Sequence, residues 1–318
     1  MPRFFALCAT LAIVIGVACC RPATTTPSGQ DILFDSERDS SGTGDQSIYR
    51  MAPDGSNVRR LAYLPGITSW MPDWSPDRTR IVFSSNRTGP WDDLYVMDAD
   101  GGNVRQLTDT PAASEHDAAW SPDGGQIVYD RAEIAADGKR QRAQIWMIDA
   151  DGSHARALTA GTSRNLRPAW SPGGSTIAFL SDRHAAVDVS LVGTDDGDLE
   201  IYLMARDGSD VRRLTNCAET ASAPAWSPDG RRIAFGCGLQ VMNADGSDQL
   251  RLTDDPRVAG YRAAWSPDGK EIATTCYLEV PTAGPRFEKH EICVIRADGS
   301  DLGILTRNEV FDGHPDWW

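Results

Sequence analysis

The apolar positions of this chain fall in short alternating clusters rather than helical stripes, and the clusters recur on a fixed ruler. Trp-Ser-Pro motifs open at Trp74, Trp120, Trp170, Trp226 and Trp265, and Pro315-Asp316-Trp317 echoes Pro72-Asp73-Trp74. Seven residues after each of the first five Trp comes a strand-like triplet: Ile81-Val82-Phe83, Ile127-Val128-Tyr129, Ile177-Ala178-Phe179, Ile233-Ala234-Phe235 and Ile272-Ala273-Thr274. The sixth triplet, Ile32-Leu33-Phe34, stands at the other end of the chain. Further alternating segments begin at Ile48, Leu94, Ile145, Ile201, Leu239 and Ile292, each six residues before the Asp of an Asp-Gly pair. Six residues beyond each of those Gly comes a Leu: Leu61, Leu107, Leu158, Leu214, Leu252 and Leu305.

Each repeat thus holds four short strands, A (around the Trp), B, C and D, joined by Ser-Pro-Asp-Gly and Asp-Gly turns of the hairpin-closing kind. Four-stranded units at this period are blades of a β-propeller. The sequence therefore predicts an all-β, six-bladed β-propeller with four antiparallel strands per blade. The last repeat supplies only strand A, and the N-terminus supplies B, C and D. The ring is predicted to close by pairing the two chain ends, which removes open strand edges. The termini then emerge on the face that carries the A-to-B and C-to-D turns.

At these residues the sequence resembles the TolB-type, WD-repeat-like propeller family, whose repeat reads Pro-x-Trp-Ser-Pro-Asp-Gly, Ile-Ala-Phe, Ile-Tyr-x-Met-x-x-Asp-Gly and Arg-Arg-Leu-Thr. The resemblance covers residues 31–318. Arg78 replaces a turn Gly, Gly173 a turn Asp, and Ala62 the Thr that follows the D-strand Leu. The separate α/β domain that precedes the propeller in TolB itself has no counterpart in the pattern. The resemblance implies an exported propeller of the bacterial envelope.

The B-to-C connections vary from 6 to 24 residues, whereas the D-strand Leu is always 12 or 13 residues from the next Trp. Length variation concentrated in one set of loops marks the face opposite the termini as the binding face. Residues three before each Trp, namely Met71, Asp117, Arg167, Ala223, Arg262 and His314, are expected near the mouth of the central channel, with Trp70, His116 and Tyr261 beside them. Such a mixed ring suits a polar ligand or a peptide. The longest B-to-C connection carries Asp195, Asp196, Asp198 and Glu200, a weak calcium candidate whose spacing departs from an EF-hand loop. Connection 131–144 is basic through Lys139, Arg140 and Arg142, and a solvated face is expected there.

Residues 4–17 form an apolar or small run behind Arg3, shorter than a membrane span and suited to an export signal. Residues 1–19 read as a signal peptide, with Cys19 or Cys20 as the lipidated residue of a lipoprotein or with ordinary cleavage instead. Residues 20–30, rich in Pro, Thr and Ser, read as a tether to the propeller at 31–318. Cys217, Cys237, Cys276 and Cys293 remain; in an oxidising envelope we expect disulfides, pairing Cys217 with Cys237 and Cys276 with Cys293.

The 45 Asp and Glu against 31 Lys and Arg give a net charge of −14. That acid excess argues against nucleic-acid and anionic-membrane partners. Part of it is turn chemistry, since every Asp-Gly pair contributes one acid. There is no Gly-x-Ser-x-Gly elbow and no His pair at metal spacing, and nothing requires a cofactor. The leading expectation is a monomeric, non-enzymatic platform engaging an envelope protein or cell-wall component. The alternative is a propeller enzyme acting on a glycan or peptide, with His116, Asp117 and His314 as acid/base groups.

Overall fold

A computed structural model describes residues 30–40, 42–184, 199–217, 221–236, 238–278, 290–308 and 310–317. The strands in chain order are β1 (Ile32–Ser36), β2 (Ser47–Met51), β3 (Arg59–Ala62), β4 (Ser69–Trp74), β5 (Arg80–Ser85), β6 (Asp93–Asp98), β7 (Arg105–Gln106) and β8 (Ala113–Trp120). There follow β9 (Gln126–Glu133), β10 (Gln144–Asp149), β11 (Arg156–Ala157), β12 (Asn165–Trp170), β13 (Thr176–Ser181), β14 (Glu200–Ala205), β15 (Arg212–Arg213) and β16 (Ala225–Trp226). The last are β17 (Arg232–Phe235), β18 (Gln240–Asn243), β19 (Leu250–Arg251), β20 (Val258–Trp265), β21 (Glu271–Cys276), β22 (Glu291–Arg296), β23 (Gly303–Ile304) and β24 (Asp312–Trp317). They form six four-stranded antiparallel sheets, which we number as blades 1 (β4 to β7), 2 (β8 to β11), 3 (β12 to β15), 4 (β16 to β19), 5 (β20 to β23) and 6 (β24 with β1 to β3). The predicted fold and closure hold: β24 pairs with β1, with Trp317 opposite Ile32 and Asp312 opposite Ser36.

The ruler has a physical cause at each mark. The Thr after the D-strand Leu accepts the N–H that opens strand C, at 2.9 Å for Thr108 with Leu94, Thr159 with Ile145, Thr215 with Ile201 and Thr306 with Ile292. The Asp of the Asp-Gly turn accepts the N–H two residues on, for example Asp54 Oδ1 from Ser56 at 2.9 Å. The Gly has φ +91° at Gly101, and a Cβ there would lie 2.2 Å from the Leu61 carbonyl of the preceding blade. Glycine is thus required both for its left-handed backbone and for a close joint between blades. The same approach to a D-strand Leu carbonyl recurs at Gly55, Gly152, Gly208, Gly246 and Gly299.

The core is divided among the blade junctions. Trp74, Ile81, Phe83 and Tyr95 of blade 1 pack with Leu33 and Ile48 of blade 6. Trp120, Ile127 and Tyr129 of blade 2 pack with Val82, Leu94 and Val96 of blade 1. Each anchor Trp therefore serves as an inter-blade wedge, and each large buried side chain contributes roughly 1.5–3 kcal/mol. Among the described residues no helix is long and apolar enough to cross a membrane.

Candidate functional site

Strand A of each blade lines the central axis, and its course sets which side chains meet there. In β4, β8, β12, β20 and β24 the pairing with strand B shifts register before the anchor Trp. At this bulge Met71, Asp117, Arg167 and His314 adopt φ of +52°, +53°, +52° and +47°. A left-handed backbone is costly for a residue with a Cβ, and cross-blade hydrogen bonds hold two of these. Asp35 Oδ1 accepts the Met71 N–H at 3.3 Å, and Asp130 Oδ2 accepts the Arg167 N–H at 3.1 Å.

The bulge turns the residues three before the Trp into the channel. Met71, Asp117 and Ala223 are buried, so they form an inner layer rather than an open rim. Asp117 is ion-paired with Arg262, and Arg167 Nε lies 3.9 Å from its other oxygen. Blades 2 and 5 stand opposite each other in a six-bladed ring, so the Asp117–Arg262 pair crosses the axis. His314 Nδ1 lies 2.8 Å from Asp35 Oδ1. A cavity of about 300 Å³ follows the channel past this layer to the Ser-Pro turns, where Pro76, Pro122, Pro172, Pro228 and Pro267 ring it.

One residue before the Trp, four blades carry Ala, whereas blades 1 and 6 carry Asp73 and Asp316. Asp73 Oδ2 accepts the Trp120 N–H and Asp316 Oδ2 the Trp74 N–H, each at 2.8 Å. Burial raises both carboxyls, Asp316 to about 6, and the charge of Asp316 pushes Asp73 further up. Burial also raises Asp130 to about 6, against its hydrogen bond from Arg167. The Arg262 guanidinium, pulled down to about 10 by burial and supported by Asp35, Asp73 and Asp316, stays charged at neutral pH.

On the loop face, His116 is buried with Nε2 3.0 Å from Asp92 Oδ2 and Nδ1 3.0 Å from Arg140 Nη2. Arg140 Nη2 also lies 2.8 Å from Nε2, so the guanidinium faces both ring nitrogens while Asp92 meets Nε2. Burial, assisted by Arg140, lowers the His116 pKa against the pull of Asp92. Burial likewise lowers His290 to about 4, with His314 adding to the effect. Aromatic rings join these imidazoles into an arc across blades 2, 1, 6 and 5. Trp70 meets His116 edge-on at 5.3 Å and His314 at 6.3 Å. Phe311 lies 5.8 Å from His314 and 5.7 Å from His290, and His290 lies 4.9 Å from Tyr277 and 5.3 Å from Tyr261.

The structure thus gathers Trp70, Met71, His116, Asp117, Arg167, Tyr261, Arg262 and His314 around one axis. Connection 131–144 is solvated over residues 136–141, as expected, with Lys139 and Arg140 exposed; the tip of the Arg140 guanidinium nevertheless reaches His116 and Ser114, and the half-buried Arg142 pairs through Nη1 with Asp182 at 2.8 Å. Glu200 is removed from the calcium candidate, because its buried carboxylate accepts from Thr215, from Arg213 at 2.7 Å and from the Cys217 N–H at 2.8 Å. Asp195, Asp196 and Asp198 lie outside the described residues, as do Cys19, Cys20 and Cys237. The expected Cys276–Cys293 disulfide is not formed; both are buried thiols on the adjacent strands β21 and β22, and Cys293 Sγ donates to the Thr274 carbonyl. Among the described residues no group of three or more His, Cys, Asp or Glu is arranged to hold a metal ion.

Sequence reasoning missed Asp73, Asp316, Asp35 and Asp130, although comparison between repeats marks them: each is an acid where most blades have a small or apolar residue. His290, Phe311 and Asp92 lie off the ruler, and no spacing signalled them.

Fold and site together define a six-bladed propeller with a charged, bridged channel and an aromatic loop face. The chain resembles the TolB-type β-propellers: the family model for the TolB beta propeller domain matches residues 61–191. The chain is 29% identical over 126 residues to an uncharacterized peptidase, YuxL, of Bacillus subtilis, covering 38% of this chain and 17% of that one. It is 30% identical over 132 residues to a TolB homolog of Chlorobium chlorochromatii, covering 32% of this chain and 30% of that one. It therefore spans less than a third of the length of either relative. A crystal structure of TolB from Acinetobacter baumannii has the same fold, with a TM-score of 0.71 at 18% identity over 91% of this chain and 66% of that one.

Proposed function

We propose that this chain is a binding platform of the bacterial envelope, exported by its leader, that holds a protein or cell-wall ligand on the B-to-C loop face. The observation that carries this reading is the aromatic arc from His116 through Trp70, His314, Phe311 and His290 to Tyr261. It lies over a channel whose inner layer presents Asp117, Arg167 and Arg262. Flat rings beside fixed charges suit a polypeptide segment or a sugar, because stacking supplies area at low entropy cost while the ion pairs orient polar groups. Similarity to TolB homologs supports an envelope location. Lipidation at Cys19 or Cys20 would point the loop face away from the membrane.

The test is a crosslinking pull-down from the native envelope with the wild type and with Trp70→Ala. The expected result is a partner whose recovery falls at least fivefold in the variant while its melting temperature is kept. Undiminished recovery counts against this face. A hydrolytic reading draws on the His116–Asp92 contact and on the peptidase names of two relatives, of which this chain spans 17% and 13%. It requires turnover of an envelope peptide or glycan that His116→Ala abolishes.

A further inference from the structure

Five of the six anchor tryptophans are 5–7% exposed, whereas Trp226 of blade 4 is only partly buried. At three of the other five junctions an arginine lies over the indole: Arg80 over Trp120 at 4.6 Å, Arg232 over Trp265 at 4.6 Å and Arg206 over Trp170 at 5.3 Å. Trp74 and Trp317 have no arginine at the equivalent positions and are covered without one, at 5% exposed, so Trp226 is the anchor that has neither this cover nor full burial. Two positions provide that arginine. One is the residue before the B-strand Ile of the preceding blade, and the other is the residue before the Asp-Gly pair of the same blade. For Trp226 these positions hold Thr176 and Ala244, so neither side chain reaches the ring. The turn Asp that opens the preceding blade's hairpin elsewhere is here Gly173.

These departures converge on one groove of about 480 Å³ between blades 3 and 4, lined by Gly173, Thr176, Ala205, Asp210, Trp226 and Ala244 among others. It lies on the Ser-Pro turn face, away from the aromatic arc. Asp210 adds a charge. Its counterparts in blades 1, 2 and 4 are tied to the end of strand C, as in the bonds from Asn103 to Asp98 (2.6 Å) and from Asn243 to Asp248 (2.8 Å). In blade 3 the strand-C position is Ala205, and among the described residues Asp210 has no hydrogen bond or ion pair. Arg212 also lines the groove, and it acts on Asp245 of the next blade, whose carboxyl it helps to hold low.

We propose that this groove receives an arginine side chain of a partner polypeptide, stacked on Trp226 and paired with Asp210. The fit is set by this chain's own equivalents. A guanidinium occupies the same place over Trp120 and Trp265, and Arg232 there reaches the Gly269 carbonyl at 3.5 Å. The matching residue, Gly230, lines the groove. Arginine suits the site better than lysine because its planar cation covers the indole face while its edge meets carboxylate and carbonyl oxygens.

Titration of the full chain with the peptide Gly-Arg-Gly against Gly-Lys-Gly, followed by calorimetry and by tryptophan indole N–H resonances, tests this. Expected is saturable binding at least fivefold tighter for the arginine peptide. Thr176→Arg, which supplies the missing side chain from within, should abolish it while keeping or raising the melting temperature. Ala244→Arg should do the same from the other side, and Asp210→Asn should weaken binding at least threefold. Equal affinity for the two peptides, no saturation by the arginine peptide, or unchanged binding in folded Thr176→Arg and Ala244→Arg would overturn the proposal.

Discussion

Asp73 and Asp316 each accept one backbone N–H from the neighbouring blade, and each is held above the usual carboxylate range by burial. A carboxyl whose pKa is higher in the folded state binds a proton there that the unfolded chain has already lost. Its contribution is therefore favourable below the usual carboxylate pKa and declines as pH rises through the folded value, about 6 for Asp316. Asp316→Asn keeps an acceptor for Trp74 and removes the charge. Urea unfolding across pH should show this variant more stable than wild type by about 1 kcal/mol at pH 7, with the gap closing below pH 4. A gap independent of pH would mean that the charge of Asp316 is not the cause. His290, held neutral by burial with a pKa near 4, works the other way: its contribution grows as pH rises from 4 toward the usual imidazole value. In His290→Gln the stability gained by wild type over that window should be missing, again by roughly 1 kcal/mol.

At the scale of the element, the blade is a four-stranded hairpin series whose joints are more demanding than its strands. Gly101 combines φ +91° with contact against the Leu61 carbonyl, so Gly101→Ala should cost about 2–3 kcal/mol in thermal or urea unfolding. Gly89 has open space and an ordinary backbone, and Gly89→Ala should be close to neutral in the same assay. Thr108→Val removes the acceptor for the Leu94 N–H at constant shape and should cost about 1–2 kcal/mol. The repeated letters Asp-Gly and Leu-Thr were legible in the sequence as turns and strand ends. That the Gly of one blade sits on the Leu of the blade before it was not legible, because this joint is a contact between repeats rather than a property of either.

At the scale of the molecule, the ring is closed by β24, which supplies strand A of blade 6 and the carboxylate that holds the Trp74 N–H. Removing residues 312–318 would bare the edge of β1 and the flank of blade 5, and the truncated chain should lose its cooperative thermal transition in circular dichroism. The net charge of −14 is likewise distributed by the architecture. Turn aspartates ring the Ser-Pro face, and five aspartates, at 35, 73, 117, 130 and 316, gather with Arg167 and Arg262 along the axis. The sequence by itself determined the number of blades, their strand order, the closure and the face on which loop length varies. Those follow from local turn chemistry and an alternating pattern repeated six times, which need no knowledge of distance. Only the tertiary structure decided that Asp117 meets Arg262 across the channel, that the exposed Arg140 reaches His116 with its guanidinium, that Cys276 and Cys293 lie on adjacent strands as thiols, and that Trp226 is less buried than the other anchors. Each of these depends on which side chains from separate strands or blades converge on one point, and packing fixes that where periodicity cannot.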